Sequence, residues 1–247
     1  MYLKTQALVL RVTDYNDRDC LLTLLTPDNG KLTAKARGLR RKNSPLTATC
    51  QLLAYGDFTL FSYQGMYTIN EAESVELFQP LRRDLTKLSL GTYFAQVAEL
   101  ICQEDLPNPE ILSLTLNCLH ALSSLNLPEQ KVKGVFEFRI AALAGYLPDL
   151  SGCHVCGCET PDRFDLSAGV LECYHCGRSG EGSIRYPVSP GILEAIRFIS
   201  QCEPKRLFGF SLDEENYRQL SELSEAYLTT QLERGFSTLD FYKSLLI

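Results

Sequence analysis

Asp19-Cys-Leu-Leu-Thr-Leu-Leu-Thr-Pro-Asp-Asn-Gly-Lys-Leu-Thr-Ala-Lys-Ala-Arg-Gly38 contains a hairpin turn flanked by two strand patterns. Pro27 sets φ for the reversal and Asn29-Gly30 supplies the positive φ that a tight turn requires, while apolar residues alternate or run in short blocks on either side. Working outward, the pattern predicts five strands: Leu3 to Thr13, Asp19 to Thr26, Lys31 to Gly38, Leu52 to Tyr63 and Met66 to Glu76, with a second turn at Gln64-Gly65. Five strands in about eighty residues, followed by helices, suit a small Greek-key barrel of the OB type and an α+β fold.

After Gln79-Pro80 the period changes. Leu90, Tyr93, Phe94, Val97, Ala98 and Ile101 form one face of a helix, and Leu106-Pro-Asn-Pro109 breaks it. A second helix is expected over Glu110 to Leu125, and a third from Pro128-Glu129 to about Tyr146, its stripe being Val132, Val135, Phe136, Ile140 and Leu143. Arg139 shares that stripe. Either its stem packs at an edge while the guanidinium snorkels or meets a carboxylate, or it keeps a charge for an acidic ligand. Ser189-Pro190 starts a further helix carrying Ile192, Ile196 and Ile199, followed by helices at Glu214 to Glu233 and Phe236 to Leu246. The expected organisation is a barrel at 1–80, a helical domain in two parts at 81–150 and 187–247, and between them a metal module at 151–186.

That module rests on Cys153-x2-Cys156 and Cys173-x2-Cys176, sixteen residues apart. Two CxxC knuckles complete the closed thiolate tetrahedron of one structural Zn2+ and leave no position for a water nucleophile. Gly157 and Gly177 follow the pairs and let the backbone turn beneath the metal. Cys158, His154 and His175 lie close enough in sequence to substitute as ligands. A disulfide framework is disfavoured, because a 247-residue chain that is 45% hydrophobic needs no staples. Cys20, Cys50, Cys102, Cys118 and Cys202 are scattered among apolar residues as reduced core thiols, and Met1 to Val12 lacks a signal-peptide core. These features point to the cytoplasm, and no stretch is long enough for a membrane span.

The net charge of −6 conceals a basic segment. Lys31, Lys35, Arg37, Arg40, Arg41 and Lys42 fall within twelve residues, and no acid occurs from Lys31 to Gly56. Lys31, Lys35 and Arg37 share strand parity, and 38–45 reads as a mobile basic loop, a surface suited to phosphates. Tyr55, Phe61 and Tyr63 also share parity, either to fill the barrel or to present rings for base stacking. Phosphate loops and the HExxH, GxSxG and zinc-deaminase patterns are absent, and only three histidines occur, which argues against an enzyme.

Lys35-Ala-Arg-Gly-Leu-Arg-Arg-Lys42 resembles the basic KGARR-type loop of the bacterial recombination mediator family RecO. Phe136-Glu-Phe-Arg-Ile-Ala-Ala-Leu-Ala-Gly-Tyr-Leu-Pro148, the knuckles, and Phe164-Asp-Leu-Ser-Ala-Gly-Val-Leu-Glu-Cys173 resemble that family too. Leu39 and Asn43-Ser-Pro45 depart from its usual loop but leave the charge intact. The resemblance implies a non-catalytic, nucleoid-associated protein that binds single- and double-stranded DNA and anneals strands coated by single-strand-binding protein. It also implies RecR as a partner, indirect assistance to RecA loading, phosphate contacts from the basic segment, and a metal that only stabilises. The contrasting expectation is a zinc-stabilised adaptor that never touches DNA.

Overall fold

Five strands form where the sequence alternates, in a computed structural model that describes residues 1–125, 127–176 and 184–246. They are β1 (Tyr2–Asp14), β2 (Cys20–Leu25), β3 (Lys31–Ala36), β4 (Tyr55–Tyr63) and β5 (Met66–Glu76). β1 is long enough to serve two neighbours. Its first half, Tyr2 to Leu8, pairs with β4 and its second half, Leu8 to Asp14, pairs with β2, with a register shift between Val9 and Arg11. The order β1-β2-β3-β5-β4 therefore closes on itself, through a narrow parallel seam where Ala34 meets Tyr67 and Lys35 meets Thr68. Leu22, Leu24, Leu32, Ala34, Phe58 and Leu60 fill the interior.

The 27–30 turn forms as its sequence dictates. Thr26 donates its N–H to the Gly30 carbonyl at 2.9 Å, and Gly30 adopts φ +63°. A Cβ on Gly30 would also lie 2.3 Å from the Leu106 carbonyl oxygen, so glycine is required there on two counts. Two strand ends differ from expectation. β3 stops at Ala36 and β4 begins at Tyr55, because Leu53 takes a left-handed φ of 62° and residues 53–54 bond instead to Val9 at the shift in β1.

Seven α-helices follow among the described residues: α1 (Gln79–Arg82), α2 (Leu85–Ile101), α3 (Pro109–Ser124), α4 (Glu129–Leu143), α5 (Pro190–Gln201), α6 (Glu214–Gln231) and α7 (Ser237–Ser244). Four of the helix starts have a local cause in a side-chain cap. Asp84, Asn108, Ser189 and Asp213 accept hydrogen bonds from first-turn amides of α2, α3, α5 and α6, and Pro109 and Pro190 occupy first-turn positions where no N–H is needed.

Contacts divide the chain elsewhere than the sequence suggested. One compact unit comprises Met1–Asn126 with Phe236–Ile247, and the other comprises Leu127–Gly235. In the first, α2 packs on β1, α3 and α7, and its Tyr93 ring meets Phe236 edge-on at 5.5 Å. The return of the C-terminal helix to the barrel unit is a long-range event with no local sequence signal. In the second unit, α4 packs between α5 and α6 beside a four-stranded sheet that the sequence reading missed: β6 (Asp149–Cys153), β7 (Arg163–Asp165), β8 (Val170–Glu172) and β9 (Arg185–Pro187), in the order β6-β8-β7-β9. Asp165-x3-Gly169 was its available signal. The Asp165 carboxylate accepts the Ser167 and Ala168 amides, and Gly169 takes φ +66° to turn β7 into β8.

Candidate nucleic-acid interface and metal centre

Alternation along β3 buries Leu32, Ala34 and Ala36 and turns Lys31, Thr33 and Lys35 outward, as strand parity requires. The three expected cations of one face nevertheless meet different fates. Lys31 donates to the Glu99 carbonyl at 2.8 Å, a cation on the last turn of α2 that steadies the helix C-terminus. Lys35 pairs with Asp19 at 3.0 Å and sits 4.6 Å over the Tyr15 ring. Arg37 is exposed.

Beyond β3 the basic loop is a succession of hydrogen-bonded turns that leads into buried Leu46 and Cys50. Gly38, at φ +65°, starts it, and its N–H donates to Asp19 at 2.8 Å. Arg40 pairs with Asp14 at 3.0 Å, whereas Arg41 and Lys42 are exposed. Arg18, which sequence reasoning overlooked, joins this edge because its carbonyl accepts the Arg40 N–H at 3.1 Å. Arg18, Arg37, Arg41 and Lys42 make no ion pair among the described residues.

Asp19 is the pin of this arrangement. The Gly38 N–H, then Lys35 and Asn16, hold its carboxyl down at about 2 from an ordinary 3.8. A depressed carboxyl contributes stability that is complete above its unfolded value and is lost as pH falls through its folded one. Asp19→Asn should therefore shrink the acid sensitivity of the barrel between pH 4 and pH 2. Urea melts of both proteins across that window check this, and parallel acid losses would refute it.

The candidate metal centre is built from sheet and turn together. Cys153 ends β6, Cys173 follows β8, and the sulfurs of Cys153, Cys156, Cys173 and Cys176 all lie within 4.8 Å of one another. Each knuckle closes by a backbone bond, from Gly157 N to Cys153 O at 2.8 Å and from Cys176 N to Cys173 O at 2.9 Å. Gly157 has the expected left-handed φ of 74°, whereas Gly177 lies outside the described residues. The Cys173 N–H also points at the Cys153 sulfur at 3.3 Å.

Burial opposes ionisation of Cys153, but amides of Cys156, Cys173 and Val155 bring its thiol down to about 6. Burial and neighbouring thiols push Cys173 up, and the Cys156 thiol above all holds Cys176 near 11. A cation held by all four sulfurs would relieve this crowding. Geometry agrees, since metal–sulfur bonds of about 2.3 Å set tetrahedron edges of about 3.8 Å, and Cys156 and Cys173 stand 3.8 Å apart.

The four sulfurs that lie within 4.8 Å of one another do not include the neighbours left open as ligands, although the Cys158 thiol also interacts with Cys173. Cys158 faces the Thr160 hydroxyl at 3.7 Å, His154 stands 3.4 Å from the Leu171 carbonyl, and His175 lies against Tyr174. Arg139 is also accounted for. It donates to the Ile199 and Ser200 carbonyls at 3.1 and 2.8 Å, capping the end of α5, which removes the reading of a charge reserved for an acidic ligand.

Residues 1–78 match the family described as "Recombination protein O N terminal", and residues 82–240 match "Recombination protein O C terminal". The chain is 32% identical over 247 residues to a "DNA repair protein RecO" of Acetivibrio thermocellus, covering 99% of this chain and 97% of that one. It is 27% identical to the protein of the same name from Alkaliphilus metalliredigens, covering 99% and 100%, and 28% identical to that of Symbiobacterium thermophilum, covering 96% and 95%. Barrel unit, basic edge and thiol cluster thus lie in a chain similar to these relatives from end to end, and the chain belongs to the RecO family of DNA repair proteins.

Proposed function

We propose that this chain is a non-catalytic recombination mediator in the cytoplasm. Its closed five-stranded unit is an OB-type barrel that binds single- and double-stranded DNA, anneals complementary strands and assists RecA loading together with RecR and single-strand-binding protein. One Zn2+, held by Cys153, Cys156, Cys173 and Cys176, braces the second unit and takes no part in chemistry. The observation that carries the DNA reading is the exposed set Arg37, Arg41 and Lys42, none of them in an ion pair among the described residues, with Arg18 beside it. Two strands repel as dense lines of phosphate. A basic edge that grips both lowers that barrier, and base pairing supplies the drive. Lys31, Lys35 and Arg40 contribute positioning and field, because their heads are already engaged.

The test mixes purified protein with labelled complementary strands coated by single-strand-binding protein and follows duplex formation without ATP. Arg41→Glu with Lys42→Glu should abolish most annealing while the thermal melt is retained. The log-log salt slope of duplex binding should flatten by roughly 2, since each lost phosphate contact removes about 0.9. Full annealing by the folded variant would reject this edge. The adaptor alternative draws on the three engaged cations and requires that no oligonucleotide bind at any salt concentration.

A further inference from the structure

The barrel carries an unpartnered aromatic row that the basic edge does not explain. Reading the registers across, Tyr2 of β1 lies opposite Phe61 of β4, Phe61 opposite Thr68 of β5, and Thr68 opposite Lys35 of β3. Burial alternation puts all four on the outer face, because Leu60 and Ile69 point inward. Three inter-strand steps of about 4.8 Å make this a row about 14 Å long. The Tyr2 and Phe61 rings contact each other at 5.3 Å, yet remain 61% and 37% exposed, and Tyr63, one pair further along β4, is 64% exposed opposite Met66. Tyr55 is not part of the row, because its hydroxyl is tied to Gln6 at 2.7 Å.

Charge selects the occupant. At one end of the row stands Lys35, its own charge paired with Asp19, and the free cations follow it: exposed Arg37 two residues further along, with Arg41 and Lys42 beyond. In the other direction along β4 and β5 the outer face turns acidic at Asp57, Glu71 and Glu73. A polyanion is drawn to the rings from the cationic side and repelled past them. We infer that Tyr2, Phe61 and Tyr63 form a stacking platform for unpaired bases, so that the barrel grips single-stranded DNA by rings as well as by charge. This rests on the DNA-binding reading above and adds to it a subsite that duplex, with its bases already stacked, does not use. Bases stack on such rings with little regard to sequence.

The chain contains no tryptophan, so Phe61→Trp supplies a sole indole reporter at the platform. Three labelled probes are titrated at low salt: a dT oligomer, an abasic oligomer of equal length, and a duplex. The expected result is that dT quenches the indole and binds more tightly than the abasic strand, while duplex binds without quenching. Tyr2→Ala with Phe61→Ala, its melt checked, should weaken dT binding roughly tenfold or more and erase the preference over the abasic strand, leaving duplex affinity within about twofold. If dT and abasic strands bind equally to the unsubstituted protein and dT leaves the indole unquenched, the platform is overturned while DNA binding stands. If none of the three probes binds, the DNA-binding reading falls and takes the platform with it.

Discussion

With zinc held by the four cysteines as proposed, Cys173→Ala is expected to lose the ion and to lower the melting temperature of the Leu127–Gly235 unit by about 10 °C or more. Structural zinc supplies roughly 10–16 kcal/mol to the domains built on it, and losing even a few of those kcal/mol moves a unit of this size by several degrees each. Cys173 couples the two knuckles. Its sulfur is 3.8 Å from Cys156, and its amide is directed at the Cys153 sulfur. Damage should spread beyond the cluster, because Phe164 of β7 packs with Phe138 of α4 and Tyr227 of α6 at 6.4 and 5.1 Å between ring centres, and Arg197 of α5 holds the Leu150 and Glu159 carbonyls. Metal analysis beside calorimetry checks this. A variant that loses its zinc yet melts as the parent does would reduce the ion to a bystander.

Lys133→Ala is expected to cost about 3–5 kcal/mol, the usual effect of removing one partner from a buried ion pair. Lys133 is 2% exposed and Glu137 is fully buried, their charged atoms 3.0 Å apart between α4 and α6. The same ammonium pairs with Glu225 at 2.9 Å and donates to the Ser221 carbonyl, while Ser224 donates to Glu137 at 2.6 Å. Burial already pushes the Glu137 carboxyl upward, with Lys133 opposing that shift. Without the lysine the folded carboxyl rises further above its unfolded value, so the variant's stability should fall as pH rises. Urea melts at pH 5 and pH 8 measure this, with the larger deficit expected at pH 8. An equal deficit at both would assign the loss to packing. Replacing Lys133 and Glu137 together by methionine should recover much of the stability, because the fully buried carboxylate is then gone and the remaining Glu225 is 22% exposed.

Much of the molecule was legible because its signals are local. The 27–30 turn, the Gly157 turn and the Ser189 cap depend on residues within a few positions of one another, and the structure places them where the chain suggests; the caps at Asp84, Asn108 and Asp213 are equally local, but the sequence reading did not name them. The four clustered cysteines belong to the same class, since spacing alone aims each pair of sulfurs at one point. The basic segment was legible only as composition. From Lys31 to Gly56 the chain has no acid, yet Asp14 at the end of β1 and Asp19 just before β2 pair with Arg40 and Lys35, and the end of α2 draws Lys31 away.

By itself the sequence determined the strand and helix periods, the hairpin, the Ser189 cap and the set of thiols, all consequences of φ preferences, side-chain alternation and spacing over short spans. Tertiary structure alone decided that α7 returns to the barrel unit, that Arg139 caps α5, and that Arg18 joins the basic edge. It also decided that Tyr2 meets Phe61 on an outer face. These outcomes depend on strand register and on burial shared between distant segments. Charge and ring partners are chosen across that distance, where neighbours in space are not neighbours in the chain.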